Sequence, residues 1–398
     1  STLSSSSAES DVFKRHEFIN NNLNSDIASL LLNQTLNTSV DKKVLIEQIE
    51  AKKKCEKKLP TWFNTENIYY PNKLNIEQTS SEITAKYKSE IVDGDSIIDI
   101  TGGFGVDCSY FSKRFNSVTH CEINKELSDI VKHNCNQLRI NNIECISGSG
   151  TNILNSLNIA FDCIYIDPSR RSDIKGKVFQ LKDCLPNVPE FLELFFKYSK
   201  TILIKTSPLL DFTIGINELK HVKAIHSVAV NNEVKELLWL LECDYNGEIE
   251  IKTINIQKEN EQVFSFNLNE ELEAEAPLSK PLSYLYEPNS AILKAGAFNI
   301  LAKKLNLFKL HKHSHLYTSE NLIDFPGRSF KIENILPHNK KGFSKTKITK
   351  ANVTTRNFPE SVQNIRKKLK LKDGGKTYLF FTTNLNNEKQ IIICSKPE

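Results

Sequence analysis

The chain has 398 residues, 39% of them hydrophobic and 25% charged, with a net charge of +4 at neutral pH. Such proportions exclude a disordered, collagen-like or membrane-embedded chain and point to a soluble globular protein of two or three domains. No apolar run approaches the ~20 residues that span a bilayer, and the Ser-rich N-terminal segment lacks the apolar core of a signal peptide, so the expected location is the cytoplasm, with no membrane partner.

Residues 1 to 60 read as a helical N-terminal part. Phe13, Phe18, Ile27, Leu30 and Leu31 form one loosely amphipathic stretch. Val44, Ile46 and Ile49, with a Lys-rich tail to Lys58, form another that Pro60 stops. A helical packing domain is preferred here over a substrate-gripping module, because basic helix faces are usually just solvated. A linker with Trp62 and Pro71 leads to Gln78-Thr-Ser-Ser-Glu-Ile-Thr84-Ala-Lys-Tyr-Lys88, where hydroxyls precede a helix and can cap it or reach a ligand.

From residue 96 strands and helices alternate. Strands are expected at Ser96–Ile100, Ser117–Cys121, Ile143–Ile146, Phe161–Ile166 and Thr201–Lys205, with amphipathic segments such as Lys125–Leu138 and Pro189–Tyr198 between them. That pattern predicts an α/β fold with a mostly parallel sheet. Val222–Val230 and Glu236–Glu242, joined by the turn Asn231-Asn-Glu-Val234, are expected to pair antiparallel. A polar strand, Glu248–Ile256, and an acidic stretch, Asn267–Pro277, follow, the latter reading as a domain boundary.

Beyond it, Leu285 to Leu305 reads as a strand or loop and a helix, and His311, His313 and His315 alternate along an expected strand. An exposed edge strand is the simpler reading, since no fourth ligand at fixed spacing supports a metal site. The last hundred residues are basic: Arg328, Lys331, Lys340, Lys341, Lys345, Lys347, Lys350 and Arg356 precede a helix expected to begin at Pro359, with Val362, Ile365 and Leu369 as its apolar stripe. Gly374-Gly375 then opens a hairpin, Thr377–Thr382 and Gln390–Cys394. The nine cysteines show no C-x-x-C pair and read as buried thiols.

The chemistry is carried by Ser96-Ile-Ile-Asp99-Ile-Thr101-Gly102-Gly103-Phe104-Gly105-Val-Asp107, a buried strand, a Gly-rich turn and a helix start. A dinucleotide fingerprint needs a third glycine where Cys108 stands, which disfavours NAD. The segment resembles motif I of the class I S-adenosylmethionine (SAM) methyltransferases, with Thr101 in the place of the first glycine. Glu122, 23 residues after Asp99 at the end of the second strand, is where a carboxylate accepts both ribose hydroxyls. The acid expected after the third strand is absent, and Ser149 stands in its neighbourhood.

The fourth strand ends in Asp167-Pro168-Ser169-Arg170-Arg171. This is similar to the Asp/Asn-Pro-Pro-aromatic loop of methyltransferases acting on exocyclic base amines, but Ser169 replaces the second proline and Arg170 the aromatic. Arginine can itself stack on a base or hold a phosphate. No cysteine ends strand four or five, which sets carbon-5 pyrimidine methylation aside.

Together with Lys205-Thr-Ser-Pro208 and Ile348-Thr-Lys-Ala-Asn-Val-Thr-Thr-Arg-Asn-Phe-Pro359, these motifs resemble a bacterial family of class I SAM-dependent methyltransferases with a C-terminal THUMP-like domain. The resemblance implies a Rossmann-like catalytic domain (61–260), a small ferredoxin-like segment (280–322) and a THUMP-like domain (323–398) that binds RNA. It implies SAM as cofactor, held by Asp99, Thr101 to Gly105, Glu122, Ser149 and Thr84. Asp167 to Arg171 become the acceptor loop, with Asp167 orienting the acceptor and Arg170 or Arg171 holding a nucleotide of tRNA or rRNA. The alternatives are a small-molecule or protein methyltransferase, and a non-catalytic RNA-binding protein that keeps SAM as a structural ligand.

Overall fold

The computed structural model describes residues 17–32, 42–170 and 180–397. The chain divides into two compact units, 1–222 with 238–246 and 223–237 with 247–398. Phe13 and Arg171 lie outside the described residues.

The first unit is built on strands β1 (Ser96–Asp99), β2 (Ser117–Glu122), β3 (Ile143–Ser147) and β4 (Cys163–Ile166). The short ribbon of β5 (Ser169–Arg170) and β6 (Cys184–Leu185) follows, and then β7 (Thr201–Thr206). The five long strands are parallel, in the order β3-β2-β1-β4-β7, as the alternating pattern predicts. Both β1 and β4 are buried on their two faces, which explains their unbroken apolar reading. Strand order reverses between them, so the crevice beyond their carboxyl ends is the natural ligand site of such a sheet.

The helices ahead of β1 pack onto the start of this sheet. Cys55, Leu59, Trp62, Ile76 and Ala85 share one core cluster with Phe104, Val106 and Leu127, and the Trp62 and Phe104 rings lie 6.5 Å apart. In the helix Glu82–Glu90, Ser81 caps the N-terminus through Thr84 N–H, the capping role expected of this Ser/Thr run. Glu82 accepts hydrogen bonds from Thr61 N–H and Oγ1 (2.6 and 2.7 Å) and from Tyr110 Oη (2.8 Å). Lys88 is fully buried and paired with Asp107 at 3.2 Å, and Asp107 Oδ2 also accepts from Ser80 (2.8 Å) and Tyr165 (2.9 Å). Among the described residues no helix is long and apolar enough to cross a membrane.

In the second unit, the chain turns between β8 (Val222–Val230) and β9 (Glu233–Glu242) at Asn231 and Asn232 alone. Their φ angles of 51° and 64° are those of a two-residue hairpin turn, so β9 starts three residues earlier than the sequence pattern indicates. β10 (Glu250–Ile256) pairs parallel with β8, and β11 (Glu261–Asn267) antiparallel with β10. The acidic stretch after Asn267 lies inside this unit and begins with the short helix Leu268–Glu273.

A second sheet follows, made of β12 (Tyr284–Pro288), β13 (Phe308–Lys309), β14 (Tyr317–Ser319), β15 (Gly327–Pro337), β16 (Asn352–Arg356), β17 (Tyr378–Thr383) and β18 (Lys389–Ser395), in the order β13-β14-β12-β15-β18-β17-β16. Ile365, on the helix Val362–Leu369, joins Val353, Leu379, Phe381, Ile391 and Ile393 in one core; Leu285, Leu310, Leu316, Phe330, Phe380 and Ile392 form another.

Two expectations are corrected here. The three histidines do not share a strand face, because the chain turns between β13 and β14. His311 is buried, with Nε2 on Asn387 Oδ1 (3.1 Å) and Nδ1 accepting from Asn357 (2.9 Å), and His315 stacks on Phe298 with ring centroids 3.7 Å apart. The basic helix starts at Val362 rather than Pro359, because the Ser361 hydroxyl accepts from Asn364 N–H and caps it.

Lys88→Met strands a buried carboxylate and is expected to lower stability by about 3–5 kcal/mol, while adding Asp107→Asn restores a large part of it. Urea denaturation of the two variants checks this; equal losses would exclude the buried ion pair as the tie between these helices.

Candidate active site

The Gly-rich turn follows β1 directly. Gly103 (φ 56°) and Gly105 (φ 72°) adopt left-handed backbone, and Gly105 precedes the helix Val106–Phe111. Gly102 N–H donates to Cys121 O on β2 (2.8 Å) and Gly105 N–H to Gly102 O (3.1 Å), so the loop is braced by one backbone bond to β2 and one of its own. The Phe104 side chain points into the Trp62 cluster, which leaves only its backbone toward a ligand.

Asp99 is buried and holds this turn from inside. Its Oδ1 accepts from Thr101 N–H (2.8 Å) and Oγ1 (3.0 Å), and its Oδ2 from the Cys108 thiol (3.4 Å). Burial pushes its pKa up to about 6, against the opposing charge of His120 and the bond from Thr101. His120, on β2, is also buried, with Nε2 3.2 Å from Gly103 O. Burial works against its charged form, yet the hydrogen bond to Cys145 and the charge of Asp99 hold its pKa above the usual imidazole value.

Thr101 does what no glycine in its place could do. Besides donating to Asp99, its Oγ1 accepts the backbone N–H of Asp167 at 2.7 Å. One hydroxyl thus joins the turn after β1 to the loop after β4. Lys205, at the end of β7, forms an ion pair with Asp167 Oδ2. Asp167 Oδ1 makes no hydrogen bond among the described residues, and the side chain is 35% exposed. Pro168 is buried, Ser169 exposed and Arg170 half-buried in the β5–β6 ribbon.

Glu122 is half-exposed at the end of β2. Oε2 accepts from Gly103 N–H (2.9 Å) and Oε1 from Asn124 N–H (2.8 Å), each oxygen keeping a further lone pair. Ile123 beside it is 77% exposed. Ser149 precedes the helix Gly150–Leu157, its hydroxyl 3.0 Å from that of Thr151. Gly150 is dictated by close approach: a Cβ there would lie 2.1 Å from Ile100 O. The Thr84 hydroxyl, by contrast, is buried and bonded to Ser81 O at 3.2 Å.

Residues 284–326 match a ferredoxin-like domain model and residues 327–396 a THUMP domain-like one. Over 98% of its length the chain aligns with 99% of a "putative methyltransferase" from Porphyromonas gingivalis W83, at 31% identity and a TM-score of 0.88. The chain belongs to this family, the class I SAM-dependent methyltransferases with a C-terminal THUMP-like domain. Looser likenesses cover parts of the chain. A "putative methyltransferase" from Streptococcus mutans with S-adenosylhomocysteine shares 14% identity over 40% of this chain and 96% of its own, TM-score 0.30. An O-methyltransferase from Bacillus cereus, also with S-adenosylhomocysteine, shares 12% over 54% and 97%, TM-score 0.33. No curated protein matches the chain.

Within this methyltransferase, the structure brings Thr101, Asp99 and Asp167 together, and Gly103 with Glu122. It adds the pairing of Lys205, a motif residue, with Asp167, and it adds His120 and Ile123, which the motifs do not name. A lysine ending a central strand, a histidine inside a buried one and an apolar residue after the Glu122 carboxylate were the available signals.

Thr101→Val is expected to lower methyl transfer, whereas Thr101→Ser keeps both hydrogen bonds and near-normal transfer; comparing the two variants' turnover checks the bridge. A folded-state pKa above the ordinary 3.8 means that between about pH 4 and 6 folded Asp99 holds a proton the unfolded chain has released, so its contribution falls as pH rises. The raised His120 pKa acts in the same direction, its contribution being lost as pH rises further. The stability of wild type relative to Asp99→Asn is therefore expected to drop by roughly 3 kcal/mol across that lower window, read from denaturation at a series of pH values.

Proposed function

We propose that this chain transfers the methyl group of SAM to a base nitrogen in structured RNA, tRNA or rRNA. The observation that carries the reading is Asp167: a carboxylate beyond the carboxyl end of β4, tied by Thr101 to the Gly-rich turn, fixed on one oxygen by Lys205 and, among the described residues, unbonded on the other.

The residues at the crevice fit SAM. A Cβ built on Gly103 would meet nothing nearer than 3.7 Å, so the turn leaves room for a ligand against its backbone. Glu122 has lone pairs to spare for the ribose hydroxyls, and exposed Ile123 gives the adenine an apolar surface to lie on. SAM supplies an electrophilic methyl on a sulfonium. Everything else falls to the protein. Asp167 accepts an N–H of the acceptor through Oδ1, aiming the nitrogen lone pair along the transfer line and taking up the positive charge that builds on the amine. Lys205 keeps that carboxylate in place, and Arg170 holds the nucleotide.

RNA is favoured by charge. Residues 327–396 hold sixteen Lys and Arg against four Asp and Glu, a net of +12 in a chain whose total is +4.

Asp167→Ala is expected to lose on the order of 100-fold in methyl transfer while binding SAM as the parent does. Mass spectrometry of nucleosides from cells with and without the protein tests the substrate: one methylated base missing supports the reading, and unchanged nucleosides would sink it.

A further inference from the structure

Glu287, on β12, has a side chain only 4% exposed, yet it is a carboxylate and must be paired. Two arginines meet it, one on each carboxylate oxygen. Arg328, its register partner on β15, places Nε (2.7 Å) and Nη2 on Oε2. Arg356, at the end of β16, places Nε (3.0 Å) and Nη2 (2.9 Å) on Oε1. Both guanidinium groups turn the same Nε–Nη2 edge to Glu287, so these contacts leave Nη1 of each unused, and the side chains are 43% and 35% exposed.

A buried carboxylate is weak as a source of stability, but it removes the rotamer freedom of two long side chains. The surroundings keep the sign positive. Arg328 lies over the Phe330 ring at 5.5 Å, and Lys396 over Phe330 at 4.8 Å and Tyr378 at 5.6 Å. Desolvation and then the charge of Arg328 hold the Lys396 pKa below its usual value, with Glu287 opposing, so Lys396 and Arg328 share one field with the carboxylate. A preset pair of guanidinium forks beside a further ammonium matches a phosphodiester, whose two non-bridging oxygens each accept one fork.

We infer that Arg328 and Arg356, oriented by Glu287, form a binding site for an RNA backbone phosphate on the THUMP-like sheet. The inference rests on the RNA reading above, because it is the +12 charge of residues 327–396 that selects RNA over other phosphate carriers. Glu287 acts here as a positioning residue and touches no RNA.

Fluorescence anisotropy of labelled bulk tRNA with the full chain, over a series of salt concentrations, tests it. Glu287→Gln with Arg328→Gln and Arg356→Gln removes the cluster without stranding a buried charge. Its affinity is expected to fall on the order of tenfold, and the salt slope to shrink by about 1, one phosphate contact fewer. An unchanged affinity and slope, in a folded variant, overturns the site while leaving the RNA reading intact. Arg328→Lys with Arg356→Lys keeps the charge and loses the forks; severalfold weaker binding at an unchanged slope supports the site, and parent-like affinity overturns it. Millimolar inorganic phosphate that binds the parent but not the triple variant, and leaves tRNA binding unchanged at matched ionic strength, assigns the cluster to free phosphate and also overturns it. A parent chain that binds no tRNA even at low salt strikes the RNA reading itself.

Discussion

The hydroxyl of Thr101 is the contact on which the rest of the site depends. Strand order reverses between β1 and β4, so the chain leaving each strand runs away from the other and the ends of both are left open. Asp167 N–H sits at such an end, where the ladder no longer supplies a partner, and Thr101 Oγ1 accepts it while donating to Asp99. The Gly-rich turn and the loop after β4 are thereby held by one side chain. A glycine in that place, as in the usual motif, would leave the two loops joined by the sheet alone. Through Thr101, Asp99 braces the turn from inside, and Asp167 is fixed at its backbone before Lys205 fixes it at its carboxylate.

Bracing of this kind puts charge inside the protein, and each buried charge is answered locally. Asp99 faces His120, Lys88 faces Asp107, and Asp107 accepts two further hydroxyls. The desolvation cost of such groups exceeds their mutual attraction unless their remaining lone pairs are satisfied. The Asp107 carboxylate is answered on Oδ2 by the Ser80 and Tyr165 hydroxyls and on Oδ1 by the charge of Lys88, and Ser80 and Lys88 arrive from the segments ahead of β1. The N-terminal helices are therefore more than a cover over Phe104. They complete the polar interior of the helix that begins at the Gly-rich turn.

What the sequence made legible were the regularities. Alternating apolar segments gave the parallel sheet within one or two residues at each strand end, and Asp99, the glycines, Glu122 and Asp167 stand at strand ends, where spacing along the chain carries the information. Contacts between distant residues were not legible. Nothing local marks Lys205 as the partner of Asp167, 38 residues away, or Thr101 as the acceptor for an amide 66 residues on. The irregularities misled for physical reasons. Ser147 to Gly150 reads as a missing acid, but Gly150 is set by its contact with the Ile100 carbonyl. Alternating histidines read as a strand, yet His311 finds its partners in Asn357 and Asn387, which come from other turns of the same sheet. Pro359 reads as a helix start, but a capping hydroxyl two residues later fits the helix better.

In the second unit, the ferredoxin-like and THUMP-like segments meet at residues 326 and 327, and the structure runs a sheet straight across that border. Tyr284 to Pro288 of β12 pair with Gly327 to Lys331 of β15, and Leu285 shares a core with Phe330, Phe380 and Ile392. Neither segment has an edge of its own there, so each supplies the partner that the other's backbone needs. Glu287 lies on this seam, contributed by one segment and paired with two arginines of the other. A carboxylate on a freestanding β12 would face water and hold nothing; buried against β15 and β16, it fixes where two guanidinium groups point. The geometry of the basic face is thus set by a residue outside the THUMP-like segment, which is why a basic count along residues 327–396 finds the charge but not its arrangement.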